Sequence, residues 1–156
     1  MAKVGKEMGI FTAGTKEHHN GCTVMYGAVG MIWSKPVYFA FIKPERYTWN
    51  FVKESEYFTV SFFPDELKGI HKIYGFKSGR DTDKAKEAGI TEEFLEHGIG
   101  YKEAREIYVC RIIYIDQMKK ELEPDDVAAK YNDPADMIYG ESHNMIIGEI
   151  VDHIIR

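Results

Sequence analysis

Among the side chains of this 156-residue sequence that could do chemistry, several cationic ones stand close together. Lys68, Lys72, Lys77, Arg80, Lys84 and Lys86 fall within one short segment against only Asp81 and Asp83, in a chain whose net charge is -5. Such a run is either a solvated face or a contact for an anion. Arg46, Tyr47 and Thr48 stand immediately before a stretch of helical periodicity. There, unpaired backbone N–H groups and the helix dipole favour an anion, with an arginine and a hydroxyl beside them. A capped helix with a surface arginine is the plainer reading of the same residues. Ser78-Gly79-Arg80-Asp81 offers a hydroxyl, backbone N–H groups and a guanidinium on a small turn, and could equally be an ordinary turn.

Other chemistries lack their residue patterns. His18 and His19 are adjacent, and neighbours on a strand point to opposite faces, so the pair is poorly placed to chelate one metal. His71, His97, His143 and His153 have no companions at ligand spacing. No Gly-x-Gly-x-x-Gly follows a strand, no Gly-x-x-x-x-Gly-Lys-Ser/Thr occurs, and no serine sits in a Gly-x-Ser-x-Gly elbow. Cys22 and Cys110 stand alone, which argues against a disulfide framework or a Cys-x-x-Cys site and for two buried thiols. The acidic net charge disfavours nucleic acid as a partner. No run of eighteen apolar residues exists to form a membrane helix, and Met1–Glu7 is too polar for a signal peptide, so a cytoplasmic protein without membrane attachment is expected.

The elements that must position these groups belong to one domain over residues 1–156, because 44% hydrophobic and 13% aromatic residues suffice for a single core. Thr23 to Trp33 reads as a strand with a glycine bulge, and Pro36 to Ile42 as a second, well-buried strand. Thr48 is a candidate N-cap for a helix running toward Ser55, and Tyr57 to Phe63 is a third strand. Leu67, Ile70, Ile73 and Tyr74 recur at helical spacing up to the Gly75 and Gly79 region, and a short helix from Asp83 to Ala88 stops at Gly89. Glu106 to Asp116 is a long alternating strand with apolar residues on both faces, deep in the sheet or at a subunit contact. Pro124-Asp125-Asp126 starts a helix, and Met145 to Ile155 is a last strand interrupted by Gly148. Short strands with helices inserted between them point to a closed antiparallel sheet, which removes exposed edges.

In order along nearly the whole chain, several blocks resemble the flavin reductase-like proteins with the FMN-binding split-barrel fold, a group that includes flavoredoxin. They are Asn20 and Thr23 before the glycine-rich strand; Gly30 and Trp33-x-Lys35-Pro36; Pro44-x-Arg46-Tyr47-Thr48 with Phe51; Phe58 to Phe63; Ser78-Gly79-Arg80-Asp81-x-Asp83-Lys84; Glu103-Ala104-Arg105; and His143-x-Met145-x-Ile147-Gly148-Glu149-Ile150. The resemblance implies a mainly β fold, a six-stranded antiparallel split barrel of Greek-key type with flanking α-helices. It also implies a homodimer with FMN held noncovalently near the subunit boundary. In the family pattern Asn20, Gly21, Cys22, Thr23, Val24, Met25 and Tyr26 would line the isoalloxazine ring. Arg46, Tyr47, Thr48, Ser78, Gly79, Arg80 and Lys84 would belong to the cofactor site, with Arg46, Thr48, Arg80 and Lys84 close to the phosphate. Two positions depart from it: Cys22 replaces the usual methionine and Tyr26 a frequent tryptophan. The chain is also short after its last strand, without the contacts of a longer C-terminus.

The activity implied is that of an FMN-dependent oxidoreductase drawing electrons from NADH or NADPH, or from a redox partner protein, and passing them to flavin, ferric iron or another acceptor. The alternative is a carrier that holds FMN without turning over nicotinamide nucleotide. Flavin chemistry demands no side-chain acid or base, so no catalytic residue is named.

Overall fold

The computed structural model describes residues 2–132 and 141–156. Its elements are β1 (Gly9–Gly14), β2 (His19–Val24), β3 (Gly27–Ile32), β4 (Lys35–Ile42), α1 (Thr48–Val52), β5 (Tyr57–Phe62), α2 (Ile70–Phe76), α3 (Lys84–Ala88), β6 (Glu92–Phe94), β7 (Ile99–Tyr101), β8 (Glu106–Gln117), α4 (Asp125–Tyr131) and β9 (Asn144–Ile155). Seven strands form one antiparallel sheet in the order β2-β1-β5-β8-β9-β4-β3, and β6 pairs with β7 apart from it.

The two ends of this strand order are consecutive in sequence. Only Met25 and Tyr26 separate β2 from β3, so Val24 and Gly27 lie within roughly 11 Å and the sheet must curl until its edges approach. Cys22 and Val24 from one edge share a core with Tyr38, Ala40 and Ile42 from β4 near the other. The edges do not pair with each other, and the result is a split barrel. A second core lies outside the barrel wall, where Ile70, Tyr74 and Ala85 of α2 and α3 cover Ile10, Ile107 and Val109.

Several expectations are corrected. The single strand from Thr23 to Trp33 is two strands, because the chain leaves β1 at Val24 and joins β4 at Gly27. Gly27 permits that crossing, since a Cβ there would lie 2.8 Å from the Phe39 carbonyl oxygen. The main sheet has seven strands rather than six. β1 is the unexpected one: Ile10 faces the outer core and Phe11 the inner one, so it lacks the apolar–polar alternation that marks a strand. Gly148 does not interrupt the last strand but makes room inside it. A Cβ at that position would stand 2.4 Å from Phe58 and 2.6 Å from Cys110. In β8 the alternation fails at Ile113, which has no partner across the ladder, and the strand runs from a buried first half into an exposed second half. The helix expected through Leu67 starts at Ile70, after a 3-10 turn over Asp65–Leu67. α3 is as read, with Asp83 accepting from the Lys86 N–H at 3.0 Å and Gly89 closing the helix at φ +67. No described helix is long and apolar enough to cross a membrane.

Candidate functional site

β2, the turn into α1 and the loop between α2 and α3 meet around a cleft with two lobes. Eight of the expected site residues line the first, of about 370 Å³: Asn20, Cys22, Arg46, Tyr47, Thr48, Ser78, Arg80 and Lys84. Cys22, Thr23, Val24, Met25, Tyr26 and Arg46 line the second, of about 290 Å³. Gly21 and Gly79 face a smaller polar cavity behind Lys84 instead. Within the segment from Asn20 to Tyr26, Asn20 lines the cationic lobe and Thr23 to Tyr26 the apolar one.

Asn20 ties the cationic lobe together. It is buried, and its amide nitrogen donates to Thr48 Oγ1 at 2.8 Å. Its Oδ1 lies where a Gly79 Cβ would come within 2.0 Å, so the Ser78–Arg80 turn rests directly on it. Thr48 is not the N-cap expected of it: Tyr47 occupies that position in helical geometry, with no side-chain cap. The N–H groups of Trp49 and Asn50 already reach the carbonyls of Arg46 and Tyr47, so side chains rather than these amides would hold an anion.

The charges are unusual. Lys84 is only 7% exposed, and its ammonium donates to the Gly21 carbonyl at 2.9 Å. Arg46 donates to the Gly75 carbonyl. Among the described residues neither cation has a carboxylate partner. Burial pushes the Lys84 pKa below that of an ordinary lysine; nearby Arg46 adds to this, and Cys22 opposes it. Burial raises the Cys22 thiol, against the Thr48 hydrogen bond and the two cations. Arg80 is exposed and lies over the Tyr47 ring at 4.2 Å, while Lys77 pairs with Glu87. A buried and a half-buried cation that share a cavity, neither of them ion-paired with the one carboxylate in its lining, Glu45, are costly unless an anion joins them, so this lobe suits a phosphate.

The second lobe is walled by Val24, Tyr26, Phe41 and Ile42, with Lys43, His71 and His143 as polar members. Thr23 Oγ1 donates to the His71 carbonyl at 3.1 Å, and burial lowers the His71 pKa. His143 is pushed down to about 4, by burial first and then by the neighbouring Lys43 charge. Lys43 is buried and donates to Tyr131 O at 2.8 Å and Asn132 Oδ1 at 2.7 Å. Phe76, 78% exposed, stands where the lobes join, beside the shared Cys22 and Arg46. Phe41, Lys43, His71 and Phe76 were not singled out as site residues. They come from a strand end and a helix whose local patterns carry no functional signal. His143 was visible only as part of a resembling block.

A family model described as "Flavin reductase like domain" matches residues 1–156. No curated protein matches by sequence. Among solved structures, an FMN-binding protein from Thermus thermophilus is 18% identical with a TM-score of 0.73, over 96% of this chain and 70% of that one. Flavoredoxin from Methanosarcina acetivorans is 16% identical with a TM-score of 0.72, over 97% and 69%. Flavoredoxin of Desulfovibrio vulgaris (Miyazaki F) is 16% identical with a TM-score of 0.72, over 97% and 70%. At these identities the likeness is one of fold.

Proposed function

This chain belongs to the flavin reductase like domain family, and on that premise we propose that it binds FMN and acts as a flavin-dependent oxidoreductase fed by NADH or NADPH. The observation that carries the reading is the buried Lys84 and the half-buried Arg46, neither of them ion-paired, opening onto an apolar lobe. Charge at one end and flat apolar walls at the other match a phosphorylated tricyclic ring. Bound FMN would supply the hydride and electron chemistry.

The chain's own residues would bind and orient. Lys84 and Arg46 would hold the phosphate, with Thr48, Ser78 and Arg80 around it. Asn20 keeps the two phosphate-facing segments together. Thr23 to Tyr26 would flank the ring, with Phe76 and Tyr26 limiting water at its exposed edge. The neutral His143 imidazole adds a hydrogen-bonding group without adding charge.

A homodimer is part of this proposal. The edge strand β3 and the following turn expose Met31 at 67% and Trp33 at 69%, an apolar edge that a second copy would cover. We place the protein in the cytoplasm, where its nicotinamide donors are found.

The test is to purify the chain, release and identify its cofactor by denaturation, and then follow NADH and NADPH oxidation with free flavin and ferric acceptors. Bound FMN with nucleotide turnover is the expected result. Bound FMN without turnover would make the chain an electron carrier, and a colourless protein that takes up no FMN would overturn the reading.

A further inference from the structure

Behind the cationic lobe lies the smaller polar cavity, of about 240 Å³, with Gly21, Tyr74, Asp83, Lys84, Glu92 and Tyr101 in its lining. Lys84 borders both cavities, whereas Tyr74 and Tyr101 border the rear one and not the cationic lobe. The Lys84 side chain leaves the first turn of α3 and crosses to β2, where its ammonium meets the Gly21 carbonyl at 2.9 Å. The same ammonium stands 5.5 Å from the centre of the Tyr74 ring.

The position of that ring is tightly fixed. Tyr74 is buried, its hydroxyl is hydrogen-bonded to that of buried Tyr101, and Tyr101 meets Thr12 Oγ1 at 3.1 Å. β2 lies directly on the two tyrosines, since a Cβ at Gly21 would stand 3.0 Å from the Tyr74 ring and 3.1 Å from the Tyr101 hydroxyl. Burial, and then Tyr101, raise the Tyr74 pKa, so the ring that faces Lys84 is a neutral phenol.

A carboxylate is the usual support for a buried ammonium, and the lining of the rear cavity contains two. Both are engaged elsewhere: Glu92 with His19 Nε2 at 2.9 Å, and Asp83 with the Lys86 N–H at 3.0 Å. For an anion site the difference matters. A carboxylate against Lys84 would cancel its charge before any phosphate arrived. An aromatic face attracts the ammonium through its quadrupole and leaves the full charge for a guest.

We propose that Tyr74 is a positioning residue for the cationic lobe: its ring face steadies the Lys84 ammonium beside the Gly21 carbonyl without neutralising it, and so keeps that charge available to an anion in front. That the anion is a flavin phosphate rests on the flavin reading; the effect of the ring on Lys84 does not.

The experiment compares Tyr74→Phe with Tyr74→pentafluorophenylalanine, two rings of similar shape whose faces carry opposite partial charge. Relative to Tyr74→Phe, the fluorinated ring should weaken FMN binding roughly fivefold to thirtyfold and leave riboflavin binding alone. In a Lys84→Met background the two rings should bind FMN equally, because the partner of the ring is gone. In the flavin-free chain, the Lys84 ammonium, followed by the chemical shift of its Cε carbon, should lose its proton at lower pH beside the fluorinated ring, since the charged form has lost its support. A general disturbance of the core would instead lower riboflavin binding and the melting temperature together with FMN binding. The inference is overturned by that pattern, by FMN affinity indifferent to fluorination, by an equal loss without Lys84, or by an unmoved Lys84 titration. If the parent chain takes up no FMN, the flavin reading fails by itself, and the Lys84 titration still decides the role of Tyr74.

Discussion

The two lobes of the cleft are assembled by opposite means. The cationic lobe gathers Asn20, Arg46 to Thr48 and Ser78 to Lys84, three segments far apart in sequence, and specific hydrogen bonds fix their relation. The apolar lobe is built on one short run, Thr23 to Tyr26, closed by packing from Phe41, Ile42 and Phe76. Recognition by charge needs exact placement of a few groups, and recognition by shape needs only walls of the right kind. Substitutions at the cationic end should therefore act on the phosphate alone, whereas changes at the apolar end act on any flavin.

The sharpest way to break this division is to remove Arg46 or Lys84. Arg46→Ala or Lys84→Ala should weaken FMN binding roughly tenfold to a hundredfold, because a charge-assisted hydrogen bond contributes about 1.5–3 kcal/mol. Riboflavin, which lacks the phosphate, should bind both variants as it binds the parent chain, and calorimetric titration of both ligands checks this. Equal losses for the two flavins would mean that these cations act on the ring.

Gly79→Ala probes the same end indirectly. Its new methyl would displace Asn20 and with it the contact to Thr48. An FMN-selective loss of about tenfold is expected, the equivalent of about 1.4 kcal/mol, and fluorescence titration of FMN against riboflavin reads it.

pH should separate the lobes. Lys84 binds phosphate only when protonated, and its pKa lies below the ordinary lysine value. FMN affinity should therefore fall at a lower alkaline pH than an ordinary lysine would give, and Lys84→Arg should move that fall upward. His143 acts at the other end and in acid. Its folded pKa of about 4 lies below the ordinary histidine value of 6.5, so the unfolded chain takes up the proton first. The stability it contributes is complete above pH 6.5 and is lost as pH drops toward 4. Thermal melting across that window should show the decline, with His143→Gln flattening it.

The smallest effect belongs to the exposed member of the cationic lobe. Arg80→Ala should cost FMN binding only a few-fold, in keeping with about 0–1 kcal/mol for an exposed ion pair. Whatever Arg80 does contribute should disappear at high salt, while the share owed to the buried Lys84 persists. Titrations of the parent and Arg80→Ala chains at low and high salt would show it.

The difference between the lobes also explains what was legible in the sequence. Arg46, Ser78, Arg80 and Lys84 stand out because charge and turn residues are conspicuous in a linear chain, and the order of the blocks carried the split barrel. β1 was invisible because both of its faces are buried, and the break at Met25-Tyr26 because it follows from barrel closure rather than from any local preference. Lys43, His71 and Phe76 reach the cleft from elements whose own periodicity is ordinary, so only the curl of the sheet and the seat of α2 bring them there. The place of Asn20 between Thr48 and Gly79 depends on two contacts that no local pattern encodes.

The most direct measurement is a calorimetric titration of the flavin-free chain with FMN and, separately, with riboflavin at low salt and neutral pH. Both should bind, with FMN the tighter by at least about tenfold, the contribution of one charge-assisted contact. Equal affinities, or no heat with FMN, would contradict the assignment of Arg46 and Lys84 to a flavin phosphate.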